Sequence, residues 1–124
     1  MNGPTTIADL TSLAYEERHT RARRALVLQT DDVQVSVYAL EPGGSIPAHR
    51  HSVSYDISLV LEGEVEARFW DGERMRTVLC APHAMNLIPP ATLHEVRNPS
   101  ADRVAKFLLV QSPARGFDFR PAGA

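Results

Sequence analysis

From about residue 25 onward the chain is a succession of short apolar runs, each stopped by turn-favouring residues. ALVLQT runs into Asp31-Asp32, and VQVSVYALE into Pro42-Gly43-Gly44. ISLVLEG is followed by EVEARFW, which closes on Asp71-Gly72, a strong hairpin signal. MRTVLCA breaks at Pro82, MNLI at Pro89-Pro90, LHEVRN at Pro99-Ser100 and VAKFLLVQS at Pro113. Val33, Val35 and Val37 alternate with polar neighbours, as does EVEARF, which is the period of a strand with one buried face. Many short strands at regular spacing, with few helical windows, read as an all-β antiparallel sandwich or barrel.

The first two dozen residues read differently. In TSLAYEERHTRARRALVL, Thr11 or Ser12 offers a helix cap, Glu16-Glu17 an acidic first turn, and the arginines a basic end, the order a helix dipole favours. A short helical or irregular segment is therefore expected, although RHTRARRALVL also suits entry into a first strand with Arg21 and Arg23 on one side. Arg18, His19, Arg21, Arg23 and Arg24 together suggest either a grip for an anion or, more commonly, a solvated basic face. The expected division is an extension over residues 1–24, a barrel over 25–115 and a tail over 116–124, whose Phe117 and Phe119 would cap a barrel mouth or meet a second subunit.

A length of 124 residues suits one ordinary domain with its own core, and the 44% apolar share excludes general disorder. A formal net charge of −2 argues against a partner bound by neutralising many phosphates, so no nucleic acid is expected. Cys80 is alone, which leaves no intrachain disulfide. MNGPTTIADL lacks the basic start and apolar run of a signal peptide, and no run approaches the roughly 18 apolar residues of a spanning helix. A soluble cytoplasmic protein with no membrane partner is the expectation.

The stretch AHRHSVSYD, residues 48–56, carries the chemistry. On a strand His49 and His51 project from the same face while Arg50 points away. Two imidazoles so placed can occupy adjacent positions around one metal ion, which also wants a carboxylate and a third nitrogen. Asp56 is the nearest carboxylate, and His94 is the later histidine on a strand-like segment. The wider frame is Gly43, five residues, His49-Arg50-His51, four residues, Asp56, six residues, Gly63, and later Pro89, four residues, His94, three residues, Asn98. In that frame the chain resembles the cupin superfamily over about residues 33–112, with aspartate where the family usually has glutamate. His83 and Ala91 stand where its second motif usually has glycine.

The resemblance implies an antiparallel jelly-roll β-barrel with both motifs facing its interior. It implies His49, His51, Asp56 and His94 as ligands of one divalent transition metal (Fe, Mn, Zn, Ni or Cu), with Asp56 bound directly or through a water. Asn98 would be structural, and Gly43 and Gly63 turn glycines. His83, after Pro82, reads as an exposed turn histidine. Val35, Val37, Val60, Leu87, Val96 and Phe107 are candidate inward residues by alternation. Tyr38 and Tyr55 are candidate catalytic groups, and Ser58 and Gln111 candidate orienting groups. Cys80 is expected as a small buried hydrophobe. The resemblance implies a metal-dependent enzyme for a small organic metabolite, most readily dioxygenase-type oxidation. Alternatives are a redox-neutral isomerase, cyclase or lyase, or a non-catalytic metal- or metabolite-binding barrel. It also suggests a homodimer, since long apolar strands otherwise leave an exposed edge.

Overall fold

The computed structural model describes residues 5–123. The first four residues of the expected extension and the last of the tail lie outside the described residues. The fold is all-β, with eleven strands among the described residues: β1 (Glu16–His19), β2 (Ala22–Gln29), β3 (Gln34–Leu40), β4 (Ser45–Arg50), β5 (Tyr55–Glu62), β6 (Val65–Asp71), β7 (Arg74–Cys80), β8 (Met85–Ile88), β9 (His94–Arg97), β10 (Ala105–Ser112) and β11 (Arg120–Pro121). They form two antiparallel sheets, in the orders β1-β2-β3-β10-β5-β8 and β11-β4-β9-β6-β7, facing each other as a jelly-roll barrel. The late strand β10 lies between β3 and β5, so the end of the chain completes the middle of the first sheet. One end of the interior is filled by Leu40, Ile46, Val60, Val65, Cys80 and Phe107. Among the described residues no helix is long and apolar enough to cross a membrane.

Among the described residues the N-terminal segment takes the irregular rather than the helical form over residues 5–15. Its acidic-then-basic order serves a hairpin instead: Glu16 faces Arg24 and Glu17 faces Arg23 across β1 and β2, with Arg21 at φ +53° in the turn. Opposite charges directly across two strands stabilise each other as they do along a helix, so charge order alone does not separate the two. Tyr15 then lies against Arg23 and Lys106 on the outer face.

Alternation located the strands but inverted the facing of two of them. On β3 the polar side carries Tyr38 toward the interior, while Val37 is 1% exposed on the opposite face with Val35. On β8 Asn86 and Ile88 face inward, opposite Ser58 and Asp56, which leaves the expected inward Leu87 outside and 56% exposed. Val60, Val96 and Phe107 do line the interior.

Gly63 is required where it stands. Its φ is +69°, and an added Cβ would lie 2.6 Å from the Val104 carbonyl oxygen. His83 and Ala91 also adopt left-handed backbone, at φ +78° and +66°. The two positions where the second motif departs from glycine thus keep a glycine-like conformation, at the steric cost of a Cβ.

Candidate metal centre

Four side chains from three strands and one strand exit meet inside the barrel. His49 lies near the end of β4, His51 follows that strand, Asp56 is near the start of β5 and His94 opens β9. His49 pairs directly with His94, after a register shift that begins at Ile46. All four are buried, and each offers a ligand atom within 4.8 Å of the others.

The backbone sets the tautomer of all three imidazoles of the centre. Nδ1–H of His49 donates to the Pro47 carbonyl at 2.7 Å, that of His94 to Thr92 at 2.8 Å, and that of His51 to Asp118 at 2.6 Å. Each Nε2 therefore turns a lone pair toward the centre, the arrangement in which a carbonyl orients a ligating histidine. Asp56 Oδ2 lies 3.2 Å from His51 Nε2 and 3.1 Å from His94 Nε2. With the Nδ1 protons already given away, these contacts set acceptor against acceptor, and only a proton or a cation between them makes them attractive. Three imidazole nitrogens and one carboxylate oxygen fit a divalent transition ion. The shorter aspartate reaches the centre because β5 brings it there beside both imidazoles.

The charges follow from this packing. Burial, then the neighbouring His94, pushes His49 down to about 3. Burial also opposes the charged form of His51, but the hydrogen bond its protonated Nε2 makes to Asp56 and that carboxylate's charge outweigh burial and raise it. Burial raises Asp56 as well, yet the imidazoles of His51 and His94, whose contacts with Oδ2 become attractive once a proton lies between them, hold it well below the usual carboxylate range.

The centre opens on a cavity of about 50 Å³, room for a few water-sized groups. Tyr38, Ser58, Asn86, Cys80 and Gln111 share its wall with apolar side chains, and among the described residues no lysine or arginine lines it. Tyr38 stacks on Phe107, and Ser58 donates to Asn86. Phe119 stacks on His49 at 4.2 Å and Phe117 lies 5.0 Å from His51, so the tail covers the histidines from one side. Tyr55 sits outside the cavity and 44% exposed, and His83 is exposed on its turn. The arginines are spread over several partners: Arg18 pairs with Glu16, Arg23 with Glu41, and Arg24 bonds Ser36, while Arg18 and Arg24 line one surface recess with Glu16.

Sequence reasoning missed Asn86, Gln34 and the Asp118 carbonyl. Asn86 and Gln34 lie on the faces that alternation had turned outward. A backbone carbonyl, offered alike by every residue, leaves no signal at all.

The cupin domain family matches residues 36–111, well over half of the chain. The chain belongs to the cupin family. No curated protein matches this cupin in sequence. TT1209 from Thermus thermophilus is 35% identical, with a TM-score of 0.72 over 86% of this chain and 96% of its own. Similar in fold are the polyketide cyclase RemF from Streptomyces resistomycificus and an oxalate oxidase. RemF is 21% identical, with a TM-score of 0.78 over 98% of this chain and 87% of its own. The oxalate oxidase is 14% identical, with a TM-score of 0.76 over 94% of this chain and 63% of its own.

Proposed function

We propose that this cupin is a metal-dependent enzyme acting on a small, uncharged, oxygen-bearing organic molecule, with dioxygenase-type oxidation as its reaction. The observation that carries the reading is the set of three inward Nε2 atoms and one carboxylate oxygen beside an apolar cavity. His49, His51, Asp56 and His94 would hold one divalent ion, which supplies Lewis acidity and, if redox-active, electrons for oxygen chemistry. The chain supplies the rest. The carbonyl-bound Nδ1 protons keep the imidazoles turned inward, and Val60, Val96 and Phe107 exclude water. Tyr38, facing the cavity, is the group placed to donate a hydrogen bond to a substrate oxygen or hold its proton. A wall without lysine or arginine favours a neutral substrate over a polyanion, whose charge would be buried without a paired cation.

A redox-neutral cyclase or isomerase is the second reading. It is favoured by the Tyr38 hydroxyl as a proton-transfer group and by the likeness to a polyketide cyclase over 98% of the chain. Elemental analysis of untagged protein, followed by turnover of hydroxy-keto and hydroxyaromatic compounds with and without oxygen, tests both. Bound iron or manganese with oxygen-dependent turnover supports the first, and bound zinc with anaerobic turnover the second. A protein that retains none of the five metals after reconstitution overturns both.

We further propose a homodimer. Tyr55, Leu61, Met85 and Leu87 form an exposed, uncharged outer face on β5 and β8, and an identical face of a second copy matches it without charge complementarity. A monomer by light scattering would refute it.

A further inference from the structure

One row of polar side chains crosses the first sheet. Gln29 on β2 pairs in register with Gln34 on β3, Gln34 with Gln111 on β10, and Gln111 with Asp56 on β5. Their side chains are joined end to end. Gln29 Nε2 donates to Gln34 Oε1 at 3.2 Å, Gln34 Nε2 to Gln111 Oε1 at 2.9 Å, and Gln111 Nε2 to Asp56 Oδ1 at 3.0 Å. Gln34, Gln111 and Asp56 are all buried.

The direction of this row is forced by its last member. An ionised carboxylate only accepts, so Gln111 must turn its amide nitrogen to Asp56 and its carbonyl to Gln34. Gln34 must then donate in turn, and Gln29 likewise. No other orientation of the three amides makes every contact a donor–acceptor pair. The row therefore delivers one hydrogen bond, from a buried amide whose oxygen is itself bonded to Gln34, to one chosen oxygen of Asp56. That oxygen is Oδ1. The other, Oδ2, is the one facing His51 and His94.

We propose that Gln111, held in turn by Gln34, is a positioning residue that makes Asp56 a one-oxygen metal ligand. It occupies Oδ1, sets the carboxylate plane and leaves Oδ2 to the metal. This rests on the metal-centre reading above and adds to it a role for two side chains that are not themselves metal ligands. It also answers how a side chain one methylene shorter than glutamate holds its place: the cross-strand amide fixes a carboxylate that would otherwise rotate about its last torsion.

The test is binding of Co(II) and Zn(II) to the full-length wild type, Gln111→Leu and Gln34→Leu. Calorimetry gives the affinities, the visible spectrum of the Co(II) form reports coordination, and thermal melts of the metal-free proteins report fold. Gln111→Leu should weaken both metals by ~10- to 100-fold and change the position and intensity of the Co(II) bands, because the freed Oδ1 alters the coordination. Gln34→Leu should shift both readouts in the same direction by less. A purely structural row would lower the melting temperature and leave the affinity and spectrum of the folded protein as in wild type, and that result overturns the proposal. Should Gln111→Leu fail to fold, Gln34→Leu decides alone by the same criteria. A wild type that binds neither metal overturns the metal-centre reading and this proposal with it, whereas a wild type that binds both beside an unaffected Gln111→Leu overturns this proposal only.

Discussion

The two segments that build the centre solve the same geometric problem differently. The first, from Gly43 to Gly63, brings three of the four polar groups and ends on a glycine at φ +69°. The second, from His83 to Asn98, brings His94 alone and bends through His83 and Ala91, two non-glycine residues in left-handed backbone. Both present imidazoles with Nδ1 bound to a carbonyl and Nε2 inward. The contrast teaches that ligand orientation comes from strand register and backbone carbonyls, while the turn residue decides how much strain the bend carries.

The sharpest way to break the contrast is at its histidines. His51→Ala should abolish metal retention, read by elemental analysis after dialysis, while His83→Ala, which alters an exposed turn side chain, should retain a full equivalent. Equal loss in both would mean the centre is elsewhere.

The turn glycine comes next. Gly63→Ala meets the Val104 carbonyl and a disfavoured φ together, and should cost about 2–4 kcal/mol in denaturant titrations. Close in size is the closing residue of the second segment. Asn98 is 2% exposed, and its amide donates to the Leu40, Glu41 and Arg103 carbonyls while its oxygen accepts from Ser100 N–H. Asn98→Ala leaves these buried groups unpaired and should cost about 2–3 kcal/mol without changing the ligand set.

Proton competition sharpens the comparison within the first segment. Because Asp56 holds the proton affinity of His51 above its ordinary value, protons compete for its Nε2 from above pH ~6.5. Zn(II) affinity should therefore fall as pH is lowered from neutrality, and calorimetry in buffers of different ionisation enthalpy should register proton release on binding. An affinity flat between about pH 7.5 and pH 6 would place the competing proton elsewhere. The smallest effect has the opposite sign to the mutations above: His83→Gly and Ala91→Gly should each stabilise by about 1 kcal/mol, since glycine adopts those angles freely.

How far residue order carries depends on how local each feature is. The strands of the barrel were legible because apolar spacing and Pro/Gly breaks act within a few residues. The convergence of His49, His51, Asp56 and His94 was legible only as a family frame, and the coordinates put those atoms within 4.8 Å. Leu87 and the two valines of β3 were turned the wrong way, because alternation gives a strand two faces without saying which one the partner sheet covers. The glutamates and arginines of the first strands fit a helix and a hairpin equally well until β3 paired with β2.

Spacing along the chain, then, established an all-β barrel and its polar candidates, since backbone period and side-chain chemistry are properties of neighbours. Folding alone assigned the facing of β3 and β8, the carbonyls that orient the imidazoles and the amide row ending on Asp56. The longest of these links joins residues 77 positions apart, and a hydrogen bond between such distant groups exists only once strand register has brought them together.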